Sequence, residues 1–145
     1  MIFCFSGTGN SRYIARRIGE RTGDRVAELP VTDTGPCACG DDALVFVTPI
    51  YYYEMSGQMK TLLDRMNPLY SSDYRFRRVY MLSVAAEDEA YTPEKAVSGL
   101  QGWIDCFEKA ELVDTLFCGG INDAGEANGR TTELEEAYEF GKRIR

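Results

Sequence analysis

No histidine occurs among the 145 residues. Ser-His and Cys-His nucleophilic pairs and histidine-held metals are therefore absent, and with them most hydrolase mechanisms. Of the five cysteines only Cys37 and Cys39 are near neighbours, as Cys-Ala-Cys, and no spacing resembles a zinc or iron–sulfur framework. No metal is expected. Cys4, Cys106 and Cys118 sit in apolar segments that read as core, where a thiol acts as a small hydrophobe, so free thiols are expected and disulfides are not.

No apolar run approaches the length that spans a bilayer, and the start of the chain lacks the basic region, apolar stretch and small-residue site of a signal peptide. A cytoplasmic protein without membrane contact is expected. An excess of basic residues is missing too. The formal net charge is −7 and the isoelectric point lies near 4.7, which argues against nucleic acid and anionic lipid as partners. The acidity serves solubility or forms a face that steers a basic protein partner. There is no internal repeat and no low-complexity tract, and the length suits one domain over residues 1–145.

What is present begins at the first loop. Phe3, Cys4 and Phe5 lead through Ser6-Gly7-Thr8-Gly9-Asn10-Ser11 into an amphipathic helix with Ile14, Ala15 and Ile18 inward. Gly7 and Gly9 permit tight turns, and the first N–H groups of the helix face outward beside the positive end of its dipole. Ser6, Thr8 and Ser11 add hydroxyl donors and Asn10 an amide, with no basic residue before Arg12. This suits a terminal phosphate monoester held by neutral donors. A P-loop would end in Gly-Lys-Ser/Thr, and a dinucleotide fingerprint would place a third glycine where Arg12 stands.

Further along, residues 25–29 read as a short strand and residues 30–41 as an irregular stretch without helical periodicity, where a helix would normally follow. Residues 43–47 form a continuous apolar strand ending at Thr48-Pro49. Ile50, Tyr51, Tyr52 and Tyr53 come next, then a helix with Met59, Leu62, Leu63 and Met66 at core spacing, ended by Pro68. Residues 67–77 read as a loop rich in aromatics. Residues 79–84 are a buried strand, followed by Ala85-Ala86-Glu87-Asp88-Glu89 and a helix with Val97, Leu100, Ile104 and Phe107 on one stripe. A last strand at 112–118, a Gly-rich loop at 119–129 and a helix at 132–144 with Leu134, Ala137, Tyr138, Gly141 and Ile144 inward complete the chain. Alternating strands and helices call for a parallel sheet with right-handed crossovers and helices on both faces.

The strand followed by Ser6-Gly7-Thr8-Gly9-Asn10-Ser11 resembles the phosphate loop of the flavodoxin-like superfamily. Thr48-Pro49-Ile50-Tyr51-Tyr52, with Met55-Ser56-Gly57-Gln58-Met59-Lys60 and Leu63-Asp64-Arg65, is similar to the flavin loop and following helix of the NADPH-dependent FMN reductase family. The resemblance implies a three-layer α/β/α sandwich with five parallel strands in the order 2-1-3-4-5, and flavin mononucleotide (FMN) as cofactor. It places Ser6, Thr8, Gly9, Asn10 and Ser11 at the phosphate. Thr48, Pro49, Ile50, Tyr51, Tyr52 and Tyr53 fall beside the ring, and Ala85, Ala86 and Glu87 at its polar edge. Small residues at 85 and 86 would let backbone N–H groups approach the ring, while Glu87 and Asp88, turned inward, would lower its potential. Family members of the reductase kind carry a small residue, often glycine, where Tyr53 or Glu54 stands.

Two functions follow as expectations. In one, bound FMN takes hydride from NADH or NADPH and passes electrons to a quinone, free flavin or other small acceptor, with no catalytic side chain of the protein's own. In the other, the chain is a short-chain flavodoxin carrying electrons between proteins, and its acidity meets a basic redox partner. The loops at 70–76 and 119–129 are candidates for a lid or a homodimer contact.

Overall fold

A computed structural model describes residues 1–29 and 41–144. Among the described residues there are six strands: β1 (Ile2–Cys4), β2 (Val26–Glu28), β3 (Ala43–Tyr51), β4 (Glu54–Met55), β5 (Arg78–Val84) and β6 (Glu111–Cys118). Four α-helices alternate with them: α1 (Asn10–Thr22), α2 (Gly57–Arg65), α3 (Glu94–Ile104) and α4 (Thr131–Arg143). The path β2-β1-β3-β5-β6 is parallel throughout. This is the expected order 2-1-3-4-5, with β4 set aside as a two-residue strand that folds back antiparallel on the end of β3.

The pleat explains the layering. In β1, β3 and β5, alternate residues Phe3, Leu44, Phe46, Val79 and Met81 face one side, where Met59 and Leu63 of α2 and Leu100 and Ile104 of α3 cover them. Ile2, Cys4, Val45, Val47, Tyr80 and Leu82 face the other, under Ile14 and Ile18 of α1 and Ala137 and Phe140 of α4. These strands read as unbroken apolar runs because both faces are covered. α1 starts after Gly9 at φ 92° and stops at Gly23, φ 76°, whose N–H returns to Gly19 O at 2.8 Å.

Several expectations are corrected. In α4 the inward aromatic is Phe140, fully buried against Tyr80, while Tyr138 lies half-buried beneath the guanidinium of Arg17. A tyrosine can pack its ring against a cation at the surface, whereas phenylalanine has no polar atom to keep wet. Cys106 is exposed just beyond α3, because that helix ends at Ile104. Tyr74 and Phe76 are buried against Phe107, with Trp103 on Phe76, so they build the core under α3 and do not form a lid. Of that segment's aromatics only Tyr70 stands out in solvent, on a short 3-10 turn, Asn67–Ser71. The absence of a helix expected over residues 30–41 lies almost wholly outside the described residues, as do Cys37 and Cys39.

Candidate functional site

Three loops leave the carboxyl ends of β1, β3 and β5, where the strand order reverses direction from the first strand; ligands of open parallel sheets bind in that crevice. The first is residues 5–9. Gly9 supplies the left-handed turn that aims α1, and the Arg12 N–H returns to Ser6 Oγ at 3.2 Å. That bond occupies a Ser6 lone pair and ties the loop to the helix, while leaving its O–H to donate. The backbone N–H groups of Gly7, Thr8, Asn10 and Ser11 have no acceptor among the described residues. Ser11 is buried, and its hydroxyl has no partner among them either. Thr8 is exposed beside these donors. Unused donors gathered around one loop suit a dianionic phosphate, so the residues present fit the group expected from the sequence.

Asn10 does something else. Only 3% exposed, it donates from Nδ2 to Asp123 O at 2.9 Å and accepts at Oδ1 from the Ala127 N–H at 3.0 Å. Its amide is therefore spent on the last loop and not turned to the phosphate. A third bond, from the Gly125 N–H to Thr8 O at 3.0 Å, completes the latch. The Gly-rich segment is further braced by Glu126, whose carboxylate takes the N–H groups of Asn122 and Asp123 and pairs with Arg130. Those backbone bonds, with Arg130, hold the Glu126 carboxyl below its ordinary range. The loop expected as a lid or dimer contact is thus bonded down as a wall beside the first loop.

The second loop is a hairpin. Ile50 pairs with Met55 and Tyr51 with Glu54, leaving Tyr52 and Tyr53 as a two-residue turn at φ 52° and 68°. Such a turn favours Asn-Gly, and two tyrosines there are strained. Tyr53 takes the left-handed conformation that glycine adopts without steric cost. Behind the hairpin, buried Thr48 accepts the Ser56 N–H at 3.1 Å, and Ser56 Oγ caps α2 by accepting from the Met59 N–H at 3.2 Å. Thr48 thus shapes the loop from beneath, its hydroxyl engaged with Ser56.

The three tyrosines go separate ways. Tyr53 stacks on Tyr91 at 6.1 Å with Lys95 Nζ 5.4 Å above its ring. Tyr51 is directed to the first loop: a Cβ on Gly7 would stand 2.8 Å from its Oη. Tyr52 is 97% exposed, an unattached ring next to the crevice.

In the third loop the Ala85 N–H donates to Cys118 O at 3.1 Å and Ala85 O accepts from the Ile121 N–H at 2.9 Å. Ala85 is therefore bonded to the β6 side, and exposed Ala86 is the residue left open. Glu87 accepts from Thr92 Oγ1 at 3.0 Å and lies 3.5 Å from Tyr53 Oη. Its charge is the main reason the Tyr91 hydroxyl is pushed above its ordinary pKa. Asp88 covers Gly119, where a Cβ would collide with its carboxylate. Glu87 is thus engaged by Thr92 and Tyr53, while Asp88 is exposed against the start of the loop after β6.

This arrangement defines a parallel α/β protein with a loop of unused N–H donors and an aromatic turn at its switch point. Among known proteins, the model of the NADPH-dependent FMN reductase family matches residues 40–97, the span from before β3 into α3. No curated protein matches the sequence. Solved structures do match in fold. The Trp repressor binding protein of Bacillus subtilis aligns at 19% identity with a TM-score of 0.77, over 98% of this chain and 97% of that one. A flavodoxin WrbA-like protein from Agrobacterium tumefaciens aligns at 15% identity and TM-score 0.74, over 99% and 92%. The Megasphaera elsdenii flavodoxin aligns at 16% and 0.64, over 97% and 98%. The chain has a flavodoxin-like fold, and its central segment matches the NADPH-dependent FMN reductase model.

Missed at the sequence level were the latch role of Asn10 and the stacking partner Tyr91. An asparagine at the start of a phosphate loop reads as a donor, and nothing local shows that a loop over one hundred residues later consumes its amide.

Proposed function

We propose that this protein is an FMN-dependent NAD(P)H oxidoreductase, built as one domain, that passes electrons to a small acceptor such as a quinone or free flavin. The observation that carries the proposal is the meeting of unused donors at residues 7–11 with the tyrosine turn of the segment that matches the reductase family. Bound there, the flavin would supply the redox chemistry. The residues of the chain bind and orient it. N–H groups of Gly7, Thr8, Asn10 and Ser11 and the hydroxyls of Ser6, Thr8 and Ser11 hold the phosphate. Tyr52 is the ring free to stack, Ile50 and Pro49 line the base of its loop, and Ala86 offers backbone at the polar edge. No side chain near the crevice is asked to transfer a proton.

A solved NAD(P)H:quinone oxidoreductase from Methanothermobacter marburgensis has the same fold at 15% identity, TM-score 0.64, with 97% of this chain and 94% of that one aligned. The carrier reading has its own support in the net charge of −7 and in the size shared with flavodoxin. Anaerobic titration of the FMN-loaded protein separates them. Bleaching by NADH or NADPH supports the reductase. Bleaching only by dithionite, in one-electron stages, supports the carrier, and failure to bind FMN overturns both.

A further inference from the structure

Gly7 lies outside the left-handed region, so its backbone conformation does not demand glycine. Room does. Apart from the Phe5 ring edge at 4.0 Å, the one atom near a Cβ at this position is Tyr51 Oη, at 2.8 Å. An alanine would push the hydroxyl off the loop. The hydroxyl itself has no partner among the described residues; Tyr51 is exposed, and its Oη lies at Gly7, beside N–H groups that also lack acceptors. A hydroxyl set among unused donors, at a place kept open by a glycine, makes one more donor to the same anion.

We propose that Tyr51 is a phosphate-recognition residue: its O–H donates to the terminal phosphate held by the first loop, so that the protein selects the phosphorylated flavin over the unphosphorylated one. This rests on the flavin reading above and extends it across the crevice, from the loop after β1 to the end of β3. Because Tyr51 immediately precedes the strained Tyr52-Tyr53 turn, the contact also fastens that turn to the phosphate site. Gly7 is then a positioning residue that acts by leaving space.

The test is fluorescence-quenching titration of the flavin-free protein with FMN and with riboflavin, for wild type, Tyr51→Phe and Gly7→Ala. Wild type is expected to prefer FMN. Tyr51→Phe keeps the ring and loses the donor, and is expected to weaken FMN about tenfold while leaving riboflavin within about twofold, the size of a hydrogen bond to a charged group. Gly7→Ala should weaken FMN in the same selective way, and the double variant should bind no worse than Gly7→Ala alone. Inorganic phosphate should compete with FMN less well in Tyr51→Phe than in wild type. An unchanged FMN-to-riboflavin ratio in Tyr51→Phe overturns the inference and leaves the flavin reading standing. Wild type that binds neither flavin overturns both.

Discussion

The loop after β1 and the loop after β3 face each other across one crevice and are built on opposite terms. In the first, the left-handed position is filled by Gly9, the residue that adopts it without steric cost. In the second, two successive left-handed positions are filled by Tyr52 and Tyr53, each at a cost of about 1–2 kcal/mol relative to ordinary backbone. The first loop is also bonded to its surroundings through Asn10, Ser6 and Gly125. The second is held by the short β3–β4 ladder, the Thr48–Ser56 bond beneath it and the packing of Tyr53 on Tyr91. A preorganised loop of unused donors thus sits beside a strained aromatic turn, the sort of place where stability is given up for a side chain in a required position.

The largest expected effect breaks the cradle. Asn10→Ala removes two hydrogen bonds, one buried and one part-buried, and leaves the Ala127 N–H unpaired, and should destabilise the fold by about 2–4 kcal/mol. Thermal melts should show the loss, and limited proteolysis should cut first near residues 119–129; a melt unchanged from wild type would remove the latch. Gly9→Ala puts strain into the first loop to match the second. It should cost about 1–2 kcal/mol through backbone conformation alone, since the nearest atom to the new Cβ is a Tyr13 ring carbon at 3.9 Å.

Relief of strain on the other side sharpens the contrast. Replacing Tyr52-Tyr53 by Asn-Gly should stabilise the flavin-free protein by about 1–2 kcal/mol while weakening FMN binding. Greater stability with undiminished FMN affinity would show that the tyrosines do not serve the ring. Single Thr8→Ala and Ser11→Ala variants should each weaken FMN by about 1 kcal/mol, read by titration, with little effect on the melt of the flavin-free protein. Equal affinity would remove that hydroxyl from the phosphate site.

The smallest effects concern the thiols. Burial pushes Cys4 and Cys118 up to about 12 from an ordinary 9.0. Among the described cysteines, alkylation of the native protein near neutral pH should therefore mark Cys106 first, as peptide mapping would report. The same shifts make stability pH-dependent. Folded Cys4 and Cys118 retain protons that the unfolded chain releases above pH 9, so their stabilisation is complete below that pH and is lost as pH rises toward 12. Denaturant melts in which Cys4→Ala and Cys118→Ala leave the alkaline decline unaltered would contradict this assignment.

Much of this architecture is written locally. The apolar run through Leu44, Val45, Phe46 and Val47 identifies a strand covered on both faces, and the stripe of Ile14, Ala15 and Ile18 identifies the face that α1 buries. Glycines at 7 and 9 among hydroxyl residues mark an anion loop before any coordinates exist. Other features depend on partners distant in the chain. Tyr138 and Phe140 fall on neighbouring stripes of one helix, and which goes inward is settled by Tyr80 on β5 and Arg17 on α1. Tyr74 and Phe76 look like a loop decoration until Phe107 and Trp103 close over them. Cys106 lies in an apolar stretch, yet the helix stops before it.

The same division holds at the site. Residue types and spacing alone determined the alternation of strands and helices, the kind of loop that follows the first strand and the chemical group it suits, because backbone freedom, helix polarity and hydrophobic period are local properties. Tertiary structure decided how each polar group is spent. Asn10 and Thr48 are bound inward, Glu87 is held by Thr92, and of three consecutive tyrosines one reaches Gly7, one stacks on Tyr91 and one stands free. A hydrogen bond needs its partner within about 3 Å and in line, and only folding brings residues 10 and 127, or 7 and 51, to that distance.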